Sequence, residues 1–146
     1  MSEVIYREAA VDDVSSMLQL WRQFWRPQPY ESNLRRKMER EPDLVCVADL
    51  RGAIVGTIIG GFDNWWPWIY RVAVHPAHQR QGIGTGLMRE MQARLAARGA
   101  DAACLFISPS DEKILGPLNR LGYKERDDRR YSFVFEQRPN RCMQRS

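Results

Sequence analysis

The sequence predicts an α+β fold in which a twisted, mixed and mainly antiparallel sheet carries helices on both faces. Two observations lead to this prediction. Segments whose apolar residues recur at strand or helix periods follow one another in the order β-α-α-β-β-β-α-β-α-β-β. Strands joined by short turns predict antiparallel hairpins, whereas helices between strands predict crossovers. A doubly wound dinucleotide-binding fold would alternate strands and helices more regularly.

Length and composition are those of one globular domain. The chain has 146 residues, of which 44% are hydrophobic and 27% charged. A domain of this size buries enough apolar surface to fold without disulfides or metals. We expect residues 1–137 to form a single domain and residues 138–146 to form a flexible basic tail.

Several functional classes are disfavoured by the composition. There is no apolar run of 18 residues and no visible signal peptide, so we expect a cytoplasmic protein that does not span a membrane. The cysteines, Cys46, Cys104 and Cys142, are odd in number and lack zinc-binding spacing, so no metal site is expected. The net charge of +4 suits an anionic ligand, and without a recognisable motif we expect no nucleic-acid partner.

The first part of the chain predicts a strand, two helices and a hairpin. The elements are, in order, strand 4–9, helix 11–25, helix 30–41, strand 43–50 and strand 53–62. Asp12 or Asp13 is the expected N-cap of the first helix, and Pro27 ends it. Arg51-Gly52 is a two-residue connection typical of a β-hairpin.

The second part predicts a long helix between strands. Its elements are, in order, strand 69–74, helix 82–98, strand 101–108, helix 111–122 and two strands within 123–136. In the long helix apolar residues recur every four positions, and Gly99 suits the C′ position that ends it. Gly116-Pro117 is expected to break or restart the next helix.

A glycine-rich segment, HPAHQRQGIGTGLM (75–88), connects the strand 69–74 to the long helix. A helix N-terminus offers unpaired amides and a positive dipole end, and glycine lets an anion approach those amides. The lysine of a Walker motif is missing, which argues against a magnesium-bound triphosphate. Spacing alone leaves open a second interpretation, in which the glycines only allow a tight connection and close packing.

The same segment resembles the signature of the GCN5-related N-acetyltransferase (GNAT) superfamily, in particular its small bacterial members. Val72-Ala73-Val74-His75-Pro76 is similar to a strand ending in V-x-P, and Gln79-Arg80-Gln81-Gly82-Ile83-Gly84 to [QR]-x-x-G-x-[GA]. Residues 97–99 (ARG) and 118–123 (LNRLGY) are similar to later family segments. The resemblance extends over about residues 4–136.

The resemblance implies an acetyl-CoA donor and no metal. The strand 69–74 would diverge from the segment 102–108 and open a slot for the pantetheine arm, and a strand amide would polarise the acetyl carbonyl. Residues 80–85 would hold the pyrophosphate. The implied cofactor-binding residues are Val72, Ala73, Val74, Gln79, Arg80, Gln81, Gly82, Ile83, Gly84, Thr85 and Asp111.

The resemblance breaks down at the acid–base positions. Leu118 stands where the family often has a tyrosine acid, and Arg71 and Phe106 stand where it often has bases. Asp111 replaces a frequent asparagine. Three explanations remain open: proton loss through water, another residue acting in their place, or weak catalysis with binding as the main role. The candidate catalytic residues are Tyr70, Tyr123 and Asp111, with His75 a further candidate.

Aromatic residues mark the predicted acceptor end. Trp65 and Trp66 lie between two strands, and their rings could hold an amine cation or form a homodimer contact. Asp63 precedes them in the same loop and could pair with a cationic acceptor. Trp25 and Tyr30 could line the opposite wall, whereas the spacing of Trp21 predicts a core position.

Together these features predict an N-acetyltransferase that acts on the amine of a small molecule or of a protein or peptide. The alternative is a CoA-binding module with little catalysis and a sensor or structural role. The acceptor, the acid–base residues and the oligomeric state are not predicted.

Overall fold

A computed structural model of the protein describes residues 3–26, 30–107 and 113–133. These residues fall into two compact units, one before residue 113 and one beginning at Lys113. Residues 134–146, which include the predicted tail, lie outside the described residues. The extent of a single domain to residue 137 therefore stays a prediction.

The first unit is built on a four-stranded antiparallel meander. Its strands, in spatial order, are β1 (Val4–Glu8), β2 (Val45–Leu50), β3 (Ala53–Phe62) and β4 (Pro67–Val74). Arg51 and Gly52 join β2 to β3 with φ values of 51° and 91°, as the tight type I′ hairpin turn requires. The predicted hairpin and the mainly antiparallel sheet are confirmed.

Helices cover both faces of this sheet because side chains alternate along its strands. On one face, α1 (Val14–Trp21) and α2 (Glu31–Arg40) pack on Val45, Val47 and Ile59. On the other face lies α3 (Ile83–Ala97), where Leu87 lies against Gly56 and Met91 against Gly60. The predicted helix-sheet-helix layers are therefore confirmed.

Asp13 is the N-cap residue of α1, as predicted, but its carboxylate makes no capping bond to that helix. It accepts instead from the backbone amide of Ala10 at 2.7 Å and from the guanidinium of Arg7 at 2.7 and 3.1 Å. A charged guanidinium fork within reach is a stronger partner for the carboxylate than a neutral helix amide.

The exit from α3 agrees with the prediction. Gly99 has φ 96°, and its amide donates to Ala96 O at 2.9 Å while Ala100 N donates to Leu95 O at 3.1 Å. These two bonds form a Schellman motif, for which glycine is favoured because it adopts positive φ without strain.

Two strand predictions are wrong for the described residues. Residues 101–107 make one isolated parallel bridge, between Cys104 and Trp68, instead of a strand. Residues 123–133 contain no strand. A strand exists only where a neighbour supplies a continuous ladder, and local β-propensity does not reveal whether one is in place.

The second unit contains one short helix, α4 (Leu115–Arg120). It begins later than predicted, so Pro117 falls in its first turn, where proline is tolerated. Gly122 has φ 95°, and the bonds Gly122 N–Asn119 O and Tyr123 N–Leu118 O, each 3.0 Å, close a second Schellman motif.

Candidate functional site

A β-bulge interrupts β4 in the middle of the segment that the sequence singled out. Thr57 of β3 pairs with Ala73, and Ile59 pairs with Tyr70. Arg71 and Val72 therefore stand opposite a single residue of β3, and Arg71 has φ 54°. A bulge bends its strand and re-aims the side chains next to it.

A buried hydrogen-bond chain holds this bulge. The hydroxyl of Thr57, which is fully buried, accepts from Trp21 Nε1 at 2.8 Å and donates to the carbonyl of Arg71 at 2.9 Å. Every group in the chain thus finds a partner away from water. The bonds connect α1 to β3 and to the strained residue of β4.

Three aromatic rings enclose the guanidinium of Arg71. Its central carbon lies 4.2 Å from the ring centroid of Tyr30, 4.5 Å from that of Trp25 and 5.5 Å from that of Trp21. Cation–π attraction of this kind contributes about 0.5–2 kcal/mol per contact. We call Trp21, Trp25 and Tyr30 the aromatic cage of Arg71.

The cage changes how the predicted acceptor wall is understood. Trp21 is buried, which confirms its predicted core position. Trp25 and Tyr30 were expected to present their rings to a ligand, and both rings already contact the cation of Arg71. Their role towards an acceptor stays a prediction, and any acceptor that reaches them also meets Arg71.

No strand in the described part of the chain pairs with the outer edge of β4. β4 is the last strand of the sheet. The segment around Cys104 meets it through Ile69 N–Cys104 O at 2.8 Å and Cys104 N–Pro67 O at 2.9 Å. This isolated bridge lies at the start of β4, away from Val72, Ala73 and Val74, and agrees with the expected divergence of the two segments.

The end of β4 lies against the beginning of α3. A Cβ at Gly84 would be 3.7 Å from the Val74 side chain, so the two termini are close neighbours. Gln79 Nε2 donates to the carbonyl of Val74 at 3.1 Å. The predicted cofactor-binding residues in the described part, 72–74 and 79–85, thus form one continuous strand-loop-helix surface.

The α3 N-terminus has the properties of an anion site. Gly82 is its N-cap with φ 84°, and no side chain among the described residues bonds to the amides of the first turn. A Cβ on Gly82 would meet no atom within 4 Å. The exposed residues Gln79, Arg80 and Gln81 precede it. Unpaired amides, the helix dipole and a nearby arginine together favour a phosphate group.

The candidate acid–base residues differ in their surroundings. Tyr70 pairs with Ile59 on the sheet face covered by α1, and 45% of its surface is exposed. Tyr123 lies in the second unit, where its amide closes the turn after α4. Asp111, predicted for both catalysis and cofactor binding, lies outside the described residues. His75 Nδ1 accepts from Ala77 N at 3.1 Å and so shapes the loop.

The tryptophan loop is organised by Asp63. Its Oδ1 accepts from Trp65 N at 3.0 Å and from Trp66 N at 2.8 Å, and these bonds lower the pKa of the carboxyl. Trp65 and Trp66 are 78% and 57% exposed. Their expected contact with an acceptor, and that of Asp63, stays a prediction.

The thiol of Cys46 is buried. Burial raises the pKa of the Cys46 thiol to about 12, so this side chain stays protonated at neutral pH and is a poor nucleophile. No group of three metal-ligating side chains occurs in the ranges that the structure describes. Nor does any helix there have the length and apolar character to cross a membrane.

Sequence reasoning missed the residues that hold the site together. Thr57 lies in a strand without any motif, and its role depends on Trp21, 36 positions away. In the sequence, Arg71 is notable only because it stands where the family often has a base. The aromatic residues at 21, 25 and 30 were the available signal, since their rings can enclose a cation, but the sequence does not say which one.

Comparisons with known proteins agree with this geometry. A model of the acetyltransferase (GNAT) family matches residues 12–123. An acetyltransferase of Pectobacterium atrosepticum is 30% identical over 119 residues, which are 80% of this chain and 84% of that protein.

Two solved structures extend the comparison. A GNAT family acetyltransferase of Brucella melitensis, in complex with acetyl-CoA, is 25% identical with a TM-score of 0.63, covering 86% of this chain and 85% of that one. A Pyrococcus horikoshii protein, provisionally assigned as an acetyltransferase, is 27% identical with a TM-score of 0.67. That match covers 82% of this chain but 43% of the longer chain.

Proposed function

Because the chain belongs to the acetyltransferase (GNAT) family, we propose that it transfers the acetyl group of acetyl-CoA directly to the amine of a small molecule or of a protein. The family makes it an acetyl-CoA-dependent acyltransferase. The observation that carries the proposal is the junction of the β4 edge with the uncapped N-terminus of α3.

The donor would lie along this junction. The backbone of Val72–Val74 offers an edge for the amides of the pantetheine arm, and the first-turn amides of α3 with Arg80 offer a site for the pyrophosphate. Gly82 leaves room for a phosphate to approach the backbone. The acetyl-CoA in the Brucella melitensis relative supports the same donor here.

At the acetyl carbon the reaction forms one bond and breaks another. The neutral amine attacks the thioester carbon, the C–N bond forms and the C–S bond breaks. A backbone amide at the bulge is the proposed donor to the oxyanion. The thiolate of CoA takes up a proton as it leaves, and the amine loses one. Of the candidate acids, Tyr70 is the one that lies on β4 itself, two residues before the donor edge, and is the one we assign.

Replacing Gly82 with tryptophan tests the donor site. The side chain would cover the first-turn amides, so acetyl-CoA affinity should fall about 10- to 100-fold, the cost of losing charged hydrogen bonds. Isothermal titration calorimetry with acetyl-CoA measures the affinity. Release of free thiol across polyamines, amino acids, aminoglycosides and peptides then reports the acceptor class.

Gly52→Trp is the matched control. Gly52 also has positive φ and no neighbour within 4 Å of a Cβ, but it lies in the β2–β3 turn. Both variants strain the backbone, and only Gly82→Trp should lose acetyl-CoA. Equal affinity in the two variants would place the donor elsewhere.

A further inference from the structure

Arg71 is a cation without a carboxylate partner in the described part of the chain. No ion pair and no hydrogen bond from its guanidinium occurs there, and the guanidinium contacts the three rings of the aromatic cage. Other arginines of the same unit are paired with carboxylates: Arg7, Arg35, Arg51, Arg94 and Arg98.

This arrangement is costly by itself. Arg71 takes φ 54°, a region that costs a residue with a Cβ about 1–2 kcal/mol. Its side chain is half-buried, and burying a charge without an anion is unfavourable even when aromatic faces offset part of the cost. Strain and an unpaired charge at one residue, held in place by Thr57 and the cage, are characteristic of a preorganised ligand site.

The position and the N–H donors of Arg71 indicate which chemical group of the acceptor it would bind. It immediately precedes Val72, the first residue of the proposed donor edge, and faces the α1 and α2 layer with Tyr70. Cation–π contacts leave the N–H donors of a guanidinium unused, and their fixed fork matches the two oxygens of a carboxylate. We propose that Arg71 binds a carboxylate of the acceptor, so that the preferred acceptors are amines that also carry a carboxylate, as amino acids do.

The same observation argues against purely cationic acceptors. The rings of Trp25 and Tyr30, the natural partners of an ammonium group, are already in contact with Arg71. A polyamine would bring a second positive charge next to the guanidinium, with no carboxylate paired to it in the described residues. Acceptor choice would then depend on charge as well as on shape.

The inference rests on the proposed function, and the test separates the two. Acetyl-CoA binding is measured first, and its absence in the wild-type protein would refute the donor site. The CoA-saturated protein is then titrated with a panel of N-acetyl amino acids, each matched with its neutral carboxamide. We expect at least one acid to bind about 10- to 100-fold tighter than its carboxamide, because a charged bidentate contact is lost in the amide.

Variants assign this preference to Arg71. Arg71→Gln should abolish the difference between acid and carboxamide, and Arg71→Lys should retain part of it. Arg22→Gln removes the same charge from an exposed position after α1 and should keep the full difference. Circular dichroism and thermal denaturation report whether each variant is folded, and acetyl-CoA affinity is measured separately.

Two results would overturn the proposal. One is a wild-type protein that binds acetyl-CoA but prefers no acid over its carboxamide. The other is an acid preference that survives in Arg71→Gln. A loss of acetyl-CoA affinity in folded Arg71→Gln, without any acid preference in the wild type, would assign the arginine to the donor instead.

Discussion

Thr57 shows how one hydroxyl can set the geometry of a site. It is fully buried, and it joins the indole of Trp21 to the carbonyl of Arg71. Without it the indole N–H and this carbonyl would each lose a partner in a place that water does not reach easily. The shape of the bulge, and with it the direction of the Arg71 side chain, depends on this contact.

Thr57→Val should therefore destabilise the protein by about 1–3 kcal/mol, the cost of leaving buried polar groups unsatisfied. Denaturation in urea measures the free energy of unfolding. Thr57→Ser keeps the hydroxyl and should lose less. A Thr57→Val protein as stable as the wild type would show that the hydrogen bonds of the hydroxyl do not contribute to stability.

Element packing explains a glycine that the anion site does not need. A Cβ on Gly86 would overlap the ring of Tyr6, so α3 approaches β1 more closely than any other residue at position 86 allows. A Cβ on Gly56 would lie 2.9 Å from Leu87, which shows the same close approach over β3. Of the three glycines at 82, 84 and 86, the last thus serves packing and the first the turn before α3.

Gly86→Ala should destabilise the protein by about 1–3 kcal/mol because the ring of Tyr6 must move to admit a methyl group. Thermal or urea denaturation provides the measurement. Gly84→Ala in the same helix is the control, since its Cβ would meet Val74 at an ordinary 3.7 Å.

A double-mutant cycle with Tyr6→Ala identifies the clashing partner. Gly86→Ala should cost less in the Tyr6→Ala background than in the wild type. An unchanged cost would mean that Tyr6 is not the obstacle.

At the scale of the whole molecule, ion pairs connect segments that are distant in the sequence. Arg7 of β1 bonds to Asp13 before α1 and to Asp49 of β2. On the side of the sheet that α3 covers, Arg98 after α3 bonds to Asp43. The hydrogen bond from Arg7 is the main reason that the pKa of Asp13 is lowered, and the one from Arg98 has the same effect on the pKa of Asp43.

Stability should consequently decline in acid. A carboxyl whose folded pKa is lowered contributes stability above its unfolded pKa of about 3.9. That contribution is lost as the pH falls below this value through the lowered pKa. Unfolding free energies between pH 7 and pH 2 should show the loss, and Asp13→Asn should make the dependence below pH 4 shallower.

Exposed Asp101→Asn is the control for removing one negative charge. It should leave the acid dependence as in the wild type. An Asp13→Asn protein with the full wild-type dependence would show that this ion pair does not contribute to acid sensitivity.

The local pattern of the sequence determined most of the first unit. Hydrophobic periodicity predicted α1–α3 and the four paired strands, and the hairpin turn and the Gly99 C-cap followed from residues a few positions apart. The family resemblance, carried by residues 72–84, is confirmed by the family match. It was visible in the sequence because its signature is also a contiguous segment. These features depend on interactions within a strand, a turn or a helix, which neighbouring residues largely decide.

The tertiary structure alone decided the rest. Whether residues 101–107 and 123–133 become strands depends on a partner edge. The hydrogen-bond partner of the Asp13 carboxylate depends on the position of Arg7 in β1. In the sequence Arg71 indicates only the loss of a base. The fold encloses it in the rings of Trp21 at the end of α1, Trp25 in the segment after that helix and Tyr30 at the N-cap of α2. Contacts between residues 36 to 50 positions apart arise only after the layers have packed, and that packing makes Arg71 a preorganised cation.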